Sequence, residues 1–154
     1  MQLTSTAFNE GAAIPSKYTC DERDISPPLK CTGAPAEAKT IALIADDPDA
    51  PVGTWVHWVL YDLPATISEL PENLPKSQYL PGGGKQGLND FKRLGYGGPC
   101  PPPGKPHRYF FKLYALDTAL ELKPGATKKD LERAMEKHVL KQGQLMGTYQ
   151  RAKR

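Results

Sequence analysis

Apolar residues fall into runs with the continuous or alternating character of β-strands, and only one segment repeats at helical spacing. Thr40-Ile41-Ala42-Leu43-Ile44-Ala45 is unbroken and rich in β-branched residues, which predicts a strand buried on both faces. It runs into Asp46-Asp47-Pro48-Asp49-Ala50-Pro51. The two prolines bias Asp47 and Ala50 toward extended conformations, so a stiff corner follows, not a helix. Val56 to Leu63 is the second strand. Strict alternation puts His57, Val59, Tyr61 and Leu63 on one face and Val56, Trp58, Leu60 and Asp62 on the other. The third, His107 to Leu116, has His107, Tyr109, Phe111, Leu113 and Ala115 on one side and Arg108, Phe110, Lys112, Tyr114 and Leu116 on the other.

Helical spacing appears from Thr127 to about Gln142, with Leu131, Ala134, Met135 and His138-Val139 as the apolar stripe. Thr127 can cap this helix, with Asp130 in the capping-box position. Gly143 fits the position just past its end, and Gln144 to Tyr149 can return as a strand. One late helix beside several strands predicts a β-rich α+β or sandwich fold. Strands two and three are separated by a long stretch with little helical periodicity. Its residues 95–106 contain four glycines and five prolines. A connection of that length inside a domain is usually functional or disordered, and so much proline favours a rigid wall.

The length of 154 residues fits a single domain, 1–154, that buries roughly 70% of its unfolded surface. Twenty basic against 17 acidic residues leave a net charge of only +3. Much of that excess lies in the last turn of the helix and in the tail Arg151-Ala152-Lys153-Arg154, so no broad basic face is implied. The aromatics sit inside strand patterns and are not interleaved with Lys and Arg, which gives no support to nucleic-acid binding. No apolar run approaches the 18 or so residues of a membrane span, so no stable membrane insertion is expected. The N-terminus lacks the basic and apolar regions of a signal peptide. Cys20, Cys31 and Cys100 are an odd set without metal-ligand spacing, and a reduced, cytoplasmic protein is the expectation. A Cys20–Cys31 bridge is the pairing weighed against it.

Candidate chemistry concentrates at the strand ends. Asp47 alone reads as a loop carboxylate satisfying backbone N–H groups in an Asx-type turn. His57 alone reads as a hydrogen-bonded core residue. His107 opens its strand directly after the Pro/Gly loop, where a pocket mouth would lie. Arg108 lies on the opposite strand face from His107 and can pair with a corner carboxylate such as Asp49, as scaffolding. His138, in the last turn of the helix, is assigned no function. Together, two imidazoles and a carboxylate at three strand ends suggest a preformed polar site. The carboxylate would raise the histidine pKa values, and cationic imidazoles attract phosphate and other oxyanions. The N–H groups of Tyr96-Gly97-Gly98 can form a nest for the same anion. Because Asp47 repels a fully ionised phosphate, the pocket should prefer a protonated oxyanion, or a zwitterion whose ammonium pairs with the carboxylate.

The order Ser26-Pro27-Pro28-Leu29, Asp47-Pro48-Asp49-Ala50-Pro51, Trp55-Val56-His57-Trp58, Gly97-Gly98-Pro99 and His107-Arg108-Tyr109 resembles the phosphatidylethanolamine-binding protein family. Its shorter bacterial and archaeal branch, the Raf kinase inhibitor-like proteins, fits best. The resemblance covers nearly the whole chain, to Leu145-Met146-Gly147-Thr148-Tyr149. It implies a mainly β fold, an antiparallel, Greek-key-like β-sandwich with one or two peripheral helices. It also implies ligand-binding residues at Asp47, His57, His107 and Tyr109, a wall at Gly98-Pro99, and supporting roles for Asp49 and Arg108. A C-terminal helix beside the pocket in eukaryotic members has no counterpart here, so a more open pocket is expected. The function expected is non-enzymatic binding of a phosphate or phosphorylated headgroup, with regulation of a protein partner of kinase or protease type. No catalytic residue, metal or cofactor is expected, and the resemblance suggests a homodimer. Two alternatives stand beside it: a metal-dependent hydrolase using the two histidines and the carboxylate as a facial triad, and a protein-interaction module with a vestigial pocket.

Overall fold

Residues 1–152 are described by a computed structural model. Lys153 and Arg154, half of the basic tail, lie outside the described residues. In chain order the strands are β1 (Gln2–Thr4), β2 (Leu29–Thr32), β3 (Thr40–Asp47), β4 (Trp55–Pro64), β5 (Glu69–Leu70), β6 (Lys85–Gln86) and β7 (His107–Leu116). One helix, α1 (Lys128–Met135), precedes the last strand, β8 (Val139–Tyr149), and Ser16–Tyr18 form a 3-10 turn. The three strands read from the sequence are the centre of a five-stranded antiparallel sheet ordered β6-β4-β3-β7-β8. A second antiparallel sheet is ordered β1-β2-β5.

All eight positions of β3 are buried, as its unbroken apolar run predicts, because both faces of the large sheet are covered. On one face Ile41, Leu43, Trp58, Leu60, Phe111 and Leu113 meet Leu3, Leu29, Cys31 and Leu70 of the small sheet. On the other, Ala42, Ile44, Val59, Tyr61 and Leu116 pack on Leu131 and Met135 of α1. Each large side chain fully buried in this way stabilises the fold by about 1.5–3 kcal/mol.

Two irregularities overturn the strict alternation expected of β4. Ala45 pairs with Trp58 but Asp46 pairs with Val56, so His57 is an extra residue on the bulged strand. A second shift falls between Leu43–Leu60 and Ile41–Leu63, where Asp62 adopts a left-handed φ of 54°. Val59 and Tyr61 therefore face α1, while Trp58, Leu60 and Leu63 face the small sheet. His57 does not share a face with Val59 and Tyr61; its ring packs edge-on against Tyr109, on the small-sheet side.

The capping box forms as expected, with Thr127 Oγ1 accepting from Asp130 N and Asp130 Oδ2 accepting from Thr127 N. The helix is shorter than its periodicity suggests. Glu136 leaves helical geometry at ψ 132°, and Lys137 takes a φ of 66°. From Val139 the chain forms strand, pairing with β7 as far as Tyr149. Gly143 is thus not a helix cap. It pairs with Leu113, and a Cβ there would lie 2.7 Å from the Met1 carbonyl oxygen, so the glycine lets the N-terminus cross β8. His138 sits in the joint before β8, with Nδ1 2.8 Å from Asp117 Oδ1.

The cysteine expectation is also corrected. Cys20 and Cys100 form a disulfide across 80 positions of sequence, and Cys31 is the buried free thiol. Sequence spacing favours near neighbours, but the fold carries the residue 95–106 loop against the segment around Cys20. Among the described residues no helix is long and apolar enough to cross a membrane.

Candidate functional site

β3 lies between β4 and β7, so its last residue, Asp47, is flanked by the start of both neighbours. Asp47 is opposite Trp55 at the start of β4, while His107 and Tyr109 open β7. The bulge at His57 turns that imidazole toward the same point. These side chains line a cavity of about 220 Å³, closed by Phe91 and by Cys100, Pro101 and Pro102 from the proline-rich loop. Ala50, Pro51 and the exposed Val52 form its opposite lip. The stiff Pro48–Pro51 corner and the proline-rich loop are therefore two rigid walls around one polar floor.

Asp47 is buried and spends both oxygens on protein donors. Oδ1 accepts from Asp49 N at 2.7 Å, which is the Asx-type turn, and Oδ2 lies 2.7 Å from His107 Nδ1. The structural role and the site role are held by one residue. An imidazole nitrogen facing a carboxylate must donate, so His107 keeps its proton on Nδ1 and turns Nε2 away from Asp47.

His57 departs from expectation. Gly97 O lies 2.6 Å from its Nδ1, and a carbonyl only accepts, so Nδ1 carries the proton. Burial pushes the His57 pKa down, and this outweighs the upward pull of the Gly97 carbonyl and of the charges on Asp47 and Asp90. A neutral ring with Nδ1–H leaves Nε2 as an acceptor. The neighbouring carboxylates are visible in the sequence; the burial of this ring is not.

Two further polar atoms, on residues that line this cavity, stand out. Tyr109 Oη and Trp55 Nε1 are buried and have no hydrogen-bond partner among the described residues. Desolvation comes first, followed by the negative charge of Asp47 and the nearness of its carboxylate to the hydroxyl, though short of a well-formed bond; together they raise the Tyr109 pKa far above its ordinary value, so the hydroxyl keeps its proton. Buried groups of this kind cost about 1–3 kcal/mol each when unsatisfied, which makes them a marker for a missing partner.

The loop does not supply the expected nest. Gly97 N donates to the His57 carbonyl at 2.9 Å, and Gly98 N donates to Asp24 Oδ1 at 2.7 Å. Both N–H groups are spent internally. Gly98 and Pro99 stand behind the pocket, with Pro99 O accepting from Cys20 N at 3.1 Å, and the wall itself is built by residues 100–102. A Cβ on Gly98 would lie 2.2 Å from Tyr18 O, so glycine is required there for packing against the Cys20 segment.

Asp49 and Arg108 form the expected frame. Arg108 Nε and Nη2 reach Oδ2 and Oδ1 of Asp49 at 2.9 and 2.8 Å, and the Arg108 backbone N–H adds a third bond at 3.0 Å. The guanidinium holds the Asp49 carboxyl down to about 2. This pair ties the Pro48–Pro51 corner to β7 outside the cavity. Trp55 and Phe91 were not among the residues picked from sequence. Trp55 carries a signal, as the indole donor that opens the Trp-Val-His-Trp motif; Phe91, between Asp90 and Lys92 in an aperiodic loop, carries none. Among the described residues no group of three or more His, Cys, Asp or Glu is placed to hold a metal ion.

The architecture is thus a mainly β fold of two antiparallel sheets with one helix and a small polar cavity at the strand ends of the larger sheet. The family model described as phosphatidylethanolamine-binding protein matches residues 4–150, and the chain belongs to that family. A UPF0098 protein of Methanothermobacter thermautotrophicus is 56% identical over 151 residues, covering 98% of this chain and 99% of the relative. Another, from Aquifex aeolicus, is 50% identical over 153 residues, covering 98% and 89%. Two crystal structures share the fold. A protein of Chlamydia trachomatis, described as a putative phosphatidylethanolamine-binding protein homologue, matches with a TM-score of 0.90 at 43% identity over 97% of both chains. Escherichia coli YbcL, described as a new member of the mammalian family, matches with a TM-score of 0.90 at 31% identity over 97% and 98%.

Proposed function

We propose that this protein is a non-enzymatic binding protein whose pocket takes a small oxyanion, a phosphate or phosphorylated headgroup, in its singly protonated form. The observation that carries the reading is the pair of unpartnered buried donors, Tyr109 Oη and Trp55 Nε1, beside an acceptor, His57 Nε2. A monoanionic phosphate matches this set, since its bare oxygens accept from the tyrosine and the indole while its P–OH donates to His57. His107, fastened to Asp47 through Nδ1, leaves its other ring nitrogen, Nε2, as a further polar contact for the ligand. A fully ionised phosphate has no proton for His57 and meets the Asp47 charge.

Chemistry beyond binding has little support. The side chains in the cavity include no nucleophile paired with a base, and Cys100 is tied up in the disulfide. Family likeness extends the proposal to regulation of a protein partner of kinase or protease type and to a homodimer.

The test follows the imidazole NMR signals of His57 and His107 while phosphate, and separately phosphoethanolamine, is added near neutral pH. Both rings should shift with one affinity. Unmoved signals in both would sink the proposal. His107→Ala should abolish the His57 response while the protein stays folded.

A further inference from the structure

We propose that a second cavity, on the far side of Phe91, extends the anion pocket and receives a second negatively charged group of the same ligand. The ligand class is then a small molecule with two anionic groups joined by an apolar spacer. This rests on the anion-pocket reading above and goes beyond it in naming what the rest of the ligand looks like.

The second cavity measures about 470 Å³, and Trp55 and Phe91 line it as well as the first. The Phe91 ring is the partition, edge-on to Trp55 and to His57 with centroids 5.5 Å from each. A ligand leaving the first cavity therefore crosses an aromatic surface, which suits an apolar spacer. Trp55 Nε1, without a protein partner, belongs to the residue common to both cavities.

Charge decides what the far end should carry. Asp24 and Asp90 line the second cavity, but each directs a carboxylate oxygen to a backbone N–H, Asp24 to Gly98 and Asp90 to Val56, both at 2.7 Å. Lys76 donates to the Asp24 carbonyl at 3.0 Å. Lys92 and Arg93 form no ion pair among the described residues. They are held in place nonetheless. Buried Asn89 accepts from Phe91 N and Arg93 N through Oδ1 at 2.9 and 3.3 Å and donates to Gly95 O at 2.9 Å. Its backbone closes the same loop on Arg93 O and Lys92 N. A built loop thus presents two uncommitted cations beside the aromatic partition.

Two linked anions binding two such subsites gain affinity through effective concentration, and the gain peaks when the spacer matches the span. The experiment is calorimetry with inorganic phosphate and with α,ω-alkanediol bisphosphates of increasing chain length. One chain length should bind at least about tenfold more tightly than phosphate. Lys92→Gln with Arg93→Gln should erase that gain and leave phosphate affinity unchanged; both side chains are exposed, so the variant folds. His107→Ala should weaken phosphate and bisphosphates alike. No gain at any chain length, or a gain that survives the double variant, overturns the second cavity while phosphate binding still stands for the first. Phosphate failing to bind the wild type overturns the pocket reading and this inference together.

Discussion

Asp46 and Asp47 are neighbours in β3, both almost wholly buried, and they face opposite sides of the large sheet. On the α1 side, Asp46 Oδ2 meets Lys112 Nζ at 3.2 Å and Lys128 Nζ at 2.8 Å, while Oδ1 has no partner among the described residues. On the other side, Asp47 is held by a backbone N–H and by His107. Two lysines from different elements meet one carboxylate oxygen, so the first arrangement is a clamp between β3, β7 and α1. The His107 imidazole holds Asp47 through one ring nitrogen and borders a cavity lined by residues with unmet donors. Burial alone does not make a carboxylate a site. The partner's chemistry and the adjoining space do.

The largest effect should come from the clamp. Lys112→Met with Lys128→Met leaves Asp46 buried and uncompensated, a change worth about 3–5 kcal/mol in known buried pairs. Urea denaturation should show that loss, while phosphate affinity stays at the wild-type value because no pocket residue has moved. A stability near wild type would mean the lysines do not hold Asp46, and a loss of phosphate binding would join the two faces into one unit.

The Asp47 side has its own fastening, the Cys20–Cys100 disulfide behind the pocket wall. Cys20→Ser with Cys100→Ser should cost about 2–4 kcal/mol, by releasing constraint on the unfolded chain. Phosphate affinity should fall as well, since residues 100–102 form the wall. Both cysteines are exposed, so a reducing agent should reproduce the effect in the wild type. An unchanged melting temperature on reduction would remove the bond from the account of the wall.

The central sheet was legible because β3, β4 and β7 each show their burial in their own residues. What was missed depends on partners. The bulge at His57 arises from pairing with β3, and no spacing within Trp55 to Trp58 announces it. Helical periodicity from Leu131 to Val139 was real, yet ladder pairing with β7 captured the chain from Val139 onward, a tertiary override of local preference. Asp47, His57, His107 and Tyr109 were found from strand ends and family motifs, and the structure gathers all four around one cavity. Phe91 and the Cys20–Cys100 pair arrive from loops whose course no periodicity encodes.

pH gives the next distinction. His57 is ordinarily half-protonated near 6.5, and in the folded protein burial lowers that value. The folded state then binds fewer protons than the unfolded chain. The contribution of His57 is complete above about pH 6.5 and is lost as pH falls from there through the folded value. His57→Gln should flatten the stability profile on that acid side relative to wild type. Equal slopes in wild type and His57→Gln would contradict the buried, neutral imidazole on which the protonated-oxyanion reading depends.

The smallest effect should come from the frame. Asp49 and Arg108 match in geometry, with two side-chain bonds and one backbone bond, but they sit at the surface, where solvent and salt screen the attraction. Arg108→Ala should leave the urea midpoint at neutral pH close to wild type. The difference belongs to acid. Arg108 holds Asp49 down to about 2 from 3.8, so the contribution of the pair is present above about pH 3.8 and is lost as pH falls toward 2. In the variant the carboxyl returns toward its ordinary value and that part of the acid limb disappears, an effect that added salt should shrink. A large loss at neutral pH would instead assign Arg108 a packing role, since its guanidinium also lies over the Phe110 ring with the centroid 5.6 Å away.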